Sequence, residues 1–143
     1  MKPTKEQVLD LLNALLNREY NSLTRAVLKA APYVDDSMRE AKLILRGIAA
    51  QEKDAARLLS DLIFSLKGVP AVQSFDTTIG DINYLSLRAL LPRILEFKRK
   101  QIELFNKTTD ICGATRDNVW FQLGKLTYRT QRHIEQLELL LKV

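Results

Sequence analysis

The chain has 143 residues, 46% hydrophobic and 7% aromatic, with 5 glycines, 4 prolines, one cysteine and a net charge of +5. That length supports one domain with a real core over residues 1–143 and excludes two ordinary ones, while the scarcity of Gly, Pro and aromatics predicts an all-α protein. The single cysteine excludes an internal disulfide framework and any Cys-based zinc motif, so Cys112 is read as a small buried hydrophobe.

Thr4 and Gln7 have capping-box spacing, and a first helix is predicted to run from there to Ala30. Val8, Leu11, Leu12, Leu15, Leu23, Ala26 and Ala30 make its core stripe, and Glu19 lies in the middle of that stripe. A carboxylate facing a core needs a hydrogen bond, an ion partner, a proton or a metal. Pro32 breaks the pattern, and Asp35, Asp36 and Ser37 offer N-caps for a second helix. Ala41, Leu45, Ile48, Ala55, Ala56, Leu59, Ile63 and Leu66 share one side of that helix, and Glu52 falls among them. The two helices are predicted to be antiparallel neighbours, which brings Glu19 and Glu52 together near the middle.

Lys67-Gly68-Val69-Pro70 is a helix stop. From there to about Asn83 no helical period is found, and the length of the stretch predicts a crossover along the bundle. A third helix is predicted over Tyr84 to Thr108, interrupted or kinked at Pro92. Leu87, Leu91, Ile94, Leu95, Ile102 and Phe105 form its apolar face, with Lys98 and Gln101 on the same side and Glu96 pointing nearly the other way. A fourth helix, capped by Thr115 or Asp117, carries Val119, Leu123, Leu126, Thr130, Ile134, Leu137 and Leu141 inward. His133, the only histidine, sits at the edge of that stripe. The fold expected is an up-down four-helix bundle with a long crossover between the second and third helices.

Glu19 in LLNREY, Glu52 in QEKDAARLLSDLIFSLKGVP and His133 in TQRHIEQLELLL resemble the ligand helices of the ferritin-like, bacterioferritin-like di-iron family. That family's pattern is a glutamate on the first and third helices and Glu-x-x-His on the second and fourth. The resemblance implies metal ligation by Glu19, Glu52 and His133, with Glu96 as the third-helix glutamate, although periodicity puts Glu96 off the core face. Two ligand positions are substituted: Ala55 stands for the second-helix histidine and Thr130 for the fourth-helix glutamate. Lys53 stands where bacterioferritins carry the haem-ligating methionine, so no haem is expected. Such a site is degenerate. It is expected to be non-catalytic, or at most to bind a single divalent ion such as iron or manganese with water completing the shell. Residual iron and oxygen chemistry is the alternative. In the retired form, the two glutamates are neutralised by Lys98, by an arginine such as Arg129, or by His133.

The charge is uneven. Residues 1–83 carry 11 basic and 11 acidic side chains, whereas residues 84–143 carry 11 basic and 6 acidic. A basic half can attract nucleic acid, and a helical adaptor or nucleic-acid-binding bundle is a further alternative. The positives are read as spread around helix faces without interleaved exposed aromatics, so a solvated surface is expected instead. Leu16, Tyr20, Val27 and Leu28 are read as outward apolar residues that pair two copies through the first two helices. No apolar run of about 18 residues and no leader core is found, so a cytoplasmic protein without membrane association is expected.

Overall fold

A computed structural model describes residues 3–30, 32, 34–73, 85–113 and 117–142. The first arm is α1 (Lys5–Tyr20) followed by α2 (Leu23–Ala30). After a short 3-10 turn at Asp36–Met38 come α3 (Arg39–Ser65), α4 (Leu87–Cys112) and α5 (Asp117–Leu141). The α1–α2 arm, α3, α4 and α5 form a four-helix bundle. Among the described residues there is no strand, and no helix is long and apolar enough to cross a membrane.

Local chemistry sets most boundaries. Thr4 and Gln7 form the capping box reciprocally, with the Gln7 N–H donating to Thr4 Oγ1 at 3.1 Å and the Thr4 N–H to Gln7 Oε1 at 2.8 Å. Ser86 caps α4 by accepting from the Ala89 N–H, and the helix continues through Pro92. The first arm departs from the continuous helix expected. It breaks at Asn21 and Ser22, where Asn21 ends α1 and Ser22 starts α2, its Oγ accepting from the Arg25 N–H at 3.3 Å. Both residue types prefer helix ends because their short polar side chains compete for the backbone. After the break the buried stripe shifts, so that Val27 is a core residue, while Leu16, one turn beyond Leu12 in α1, is buried in the first arm before the break. Two of the four residues taken as a dimer surface are thus buried inside the chain, while Tyr20 is exposed and Leu28 is half-buried.

The core is two apolar clusters with a polar layer between them. One contains Leu12, Leu15, Leu59, Phe105 and Leu123. The other contains Val27, Leu45, Ile48, Leu91, Ile94 and Leu137. On each arm, polar positions separate the two: Glu19 and Ser22, Glu52, Lys98 and Gln101, and Thr130 and His133, all buried. Full burial of each Leu or Ile contributes roughly 1.5–3 kcal/mol, which lets the clusters hold the polar layer in place.

At the end of α3 the stop is built differently from its sequence signature. The residue with positive φ is Lys67, at 62°, and the Gly68 N–H donates to the Ile63 carbonyl at 2.9 Å. Gly68 packs closely on α1: a Cβ there would stand 2.5 Å from Leu9 Cδ2, so the end of the Leu9 side chain would have to turn aside. The chain then runs extended along α1, where Asn13, Asn17 and Asn21 hold it. The Asn13 amide donates to the Val69 carbonyl and its oxygen accepts from the Ala71 N–H at 2.7 Å. Asn17 does the same for the Ala71 carbonyl and the Gln73 N–H, at 2.7 and 2.6 Å. Asn21 donates to the Gln73 carbonyl at 2.5 Å. The rungs match because four helical residues rise about 6.0 Å, while two extended residues span roughly 6.2–6.6 Å. The ladder makes no use of an N–H at residue 70, which is why Pro70 is compatible with it. The rest of the predicted crossover, together with the predicted helix start at Tyr84 and the Thr115 cap, lies outside the described residues.

The expectation of a basic second half without exposed aromatics is corrected on α5. Trp120, Phe121 and Tyr128 are exposed on the same helix as Lys125, Arg129 and Arg132. Sequence periodicity marks which residues a core takes. It gives less warning of large aromatics left on the opposite face.

Candidate functional site

The polar layer is centred on an ion pair. Lys98 Nζ lies 2.9 Å from Glu52 Oε2, and both side chains are 1% exposed. The other Glu52 oxygen accepts from Ser22 Oγ at 2.6 Å. Ser22 therefore has two jobs: it caps α2 and it donates to the buried carboxylate. It reaches that position because the first arm breaks there.

Glu19 is held by an amide. Gln101 Nε2 donates to Glu19 Oε1 at 2.7 Å, and Gln101 Oε1 accepts from Arg18 Nε at 2.6 Å. Because arginine only donates, this chain fixes the orientation of the Gln101 amide. Arg18 is itself locked, donating to the Phe97 carbonyl at 2.8 Å and stacking 4.2 Å above the Phe97 ring. Arg25 closes the break from outside by donating to the carbonyls of Glu19 and Tyr20. Glu19 Oε2 is buried without a hydrogen-bond partner. Burial pushes the Glu19 carboxyl up to about 7 against the pull of the Lys98 ammonium, and the neighbouring Glu52 carboxylate adds to the upward push.

His133 is anchored by Gln51, whose Oε1 lies 2.5 Å from His133 Nε2. A carbonyl oxygen only accepts, so Nε2 carries the proton and Nδ1 presents its lone pair. Nδ1 is buried without a hydrogen-bond partner. Burial lowers the imidazole to about 3, and the positive charges of Lys98 and Arg129 press in the same direction. His133 is therefore neutral at physiological pH.

The structure gathers Glu19, Glu52, Lys98, Gln101, Thr130 and His133 into the buried layer and leaves Glu96 exposed on α4. Ala55 packs in the first apolar cluster, and the Thr130 hydroxyl donates to the Leu126 carbonyl of its own helix at 2.9 Å. Lys53 is exposed. Arg129, offered by the sequence as a counter-ion to the glutamates, pairs with Asp54 at 3.0 Å. Among the described residues, no group of three His, Cys, Asp or Glu side chains is arranged to hold a metal ion. Ser22, Arg18 and Gln51 were not predicted as parts of the layer. The Asn21-Ser22 pair was a legible signal for the first, whereas the other two lie off the core stripe and carry no local sign of their partners.

Bundle, polar layer and crossover strap together define the class: the chain has a ferritin-like four-helix-bundle fold. No protein-family model and no curated protein matches it. Among solved structures it is similar to a ferritin-like, diiron-carboxylate protein from Bacillus anthracis str. Ames, with a TM-score of 0.78 over 99% of each chain and 19% sequence identity. At that identity the likeness is one of fold.

Proposed function

We propose that this is a ferritin-like bundle with a degenerate di-iron site, in which an internal cation takes the place of bound metal and no ferroxidase chemistry occurs. The observation that carries this reading is the Lys98–Glu52 pair at 2.9 Å in the centre of the polar layer. The residues present do not fit a metal pair. An ammonium already neutralises Glu52, an amide donates to Glu19, alanine and threonine stand at two ligand positions, and Glu96 is exposed. A dication would also be repelled by Lys98, and expelling that ammonium would leave it buried without its partner.

A second reading keeps one divalent ion at Glu19, Glu52 and His133. Its support is that Glu19 Oε2 and His133 Nδ1 are both buried with no hydrogen-bond partner. Elemental analysis after dialysis against ferrous or manganous ion, with Glu52→Ala as control, separates the two. The retired site predicts no stoichiometric metal in either protein. One ion per chain, lost in Glu52→Ala, would transfer the assignment to the single-ion site, and two ions per chain would refute both readings.

A cytoplasmic setting and a homodimer through the α1–α2 arm and α3 belong to the same reading, the dimer now resting on the exposed Tyr20 and half-buried Leu28 because Leu16 and Val27 are buried within the chain. A monomer by light scattering at micromolar concentration would remove the dimer.

A further inference from the structure

The outward face of α5 is not an ordinary solvated helix surface. At about 100° per residue, Phe121 and Tyr128 lie opposite the buried stripe of Val119, Leu126 and Leu137, with Lys125 and Arg132 beside them. Phe121 is 58% exposed and Tyr128 68%. Gly124 stands between the two in sequence with nothing within 4 Å of where a Cβ would be, so no side chain fills the surface at that position. The Lys125 ammonium lies 5.7 Å from the centre of the Phe121 ring.

Alongside this stripe runs a groove of about 420 Å³ between α3 and α5, lined by Gln51, Lys125, Tyr128, Arg129, Arg132 and Gln136. Its chemistry is dominated by donors. Three of the six residues are cations, and Gln51 has its carbonyl engaged by His133, leaving its NH2 for an acceptor. The acidic neighbours are Asp54, 3.0 Å from Arg129, and Glu135, 3.7 Å from Arg132 in an exposed pair. An exposed pair of that kind contributes little and exchanges readily.

We propose that this face binds single-stranded nucleic acid, with phosphates along Lys125, Arg129 and Arg132 and bases stacked on Tyr128 and Phe121. A donor-lined groove selects an anion. A second copy docking here about a two-fold axis would set the same three cations against each other, which disfavours self-association. The exposed rings select a partner with flat π faces, and a duplex hides those faces within its own stack. Cationic grooves beside aromatic platforms are the recurring solution for single strands. A membrane surface fits less well, because the continuous apolar face of α5 is already used in the core.

The test is fluorescence anisotropy with a short labelled oligothymidylate at low salt. Emission from Trp120, the single tryptophan, provides a second readout on the same helix. Saturable binding is expected, weakened about fivefold or more by Tyr128→Ala and by an abasic strand of equal length. Arg132→Gln is expected to flatten the log–log salt dependence by about 0.7, the share of one single-strand phosphate contact. Both side chains are exposed, and unchanged circular dichroism and melting would show that the fold is intact. Four results would overturn the proposal: no binding at low salt, equal binding by Tyr128→Ala, equal binding of the abasic strand or polyglutamate, or self-association through this face in place of oligonucleotide binding.

Discussion

Lys98→Met isolates the ion pair at the centre of the bundle. Methionine keeps an unbranched, flexible chain of similar length, so the change removes the ammonium with little change of shape. It leaves Glu52 with Ser22 Oγ as its donor, in a position 1% exposed to solvent. Removing one partner of a buried pair costs about 3–5 kcal/mol, because the remaining charge is uncompensated. With an unfolding entropy of about 2.1 cal/mol/K per residue, 143 residues give about 0.3 kcal/mol/K, so the melting temperature should fall by roughly 10–17 °C. Urea denaturation at pH 7 measures the free energy directly. Lys98→Met combined with Glu52→Gln removes both charges and should recover to within about 2 kcal/mol of wild type. A loss below about 1 kcal/mol in the single variant, or a double variant as unstable as the two singles added, would refute the central role given to the pair.

The asparagine ladder predicts a register. Ala71→Pro deletes the N–H that donates to Asn13 and should speed hydrogen exchange and proteolysis at residues 69–73, while Val72→Pro leaves all five rungs intact and should behave as wild type. Equal effects at both positions would exclude the ladder as what holds the segment. Gly68→Ala should cost no more than about 1 kcal/mol in urea unfolding, since its Cβ meets most closely the terminal methyls of the half-buried Leu9, which can change rotamer. The two shifted groups predict the pH profile. Glu19, raised from 4.5 to about 7, contributes stability that is full below pH 4.5 and lost as pH rises to 7. His133, lowered from 6.5 to about 3, contributes stability that is full above pH 6.5 and lost as pH falls toward 3. The two slopes oppose each other between pH 4.5 and 6.5, so wild type should be nearly level there. His133→Gln should instead lose stability steadily as pH rises through that window, and a level profile in the variant would contradict the assignment.

Local chemistry wrote much of this protein into its sequence. The 3.6-residue period picked out the buried stripes and showed that Glu19, Glu52, Lys98, Gln101, Thr130 and His133 lie on or beside them. Thr4 with Gln7 marked one helix start, and Gly68 with Pro70 marked one helix end. These features depend on neighbours within a few residues, which a single chain displays directly. Tertiary structure decided who meets whom. Lys98 reaches Glu52 across 46 positions, Gln101 reaches Glu19 across 82, and Gln51 reaches His133 across 82. Those choices depend on the rotation and height of each helix in the bundle, which the break at Asn21 and Ser22 altered for the whole first arm. Asn13 and Asn17 of α1 and Asn21 at its end are unremarkable polar residues until an extended segment of matching repeat lies beside them. The aromatic and basic face of α5 likewise emerges only once packing has decided which side of the helix the core takes.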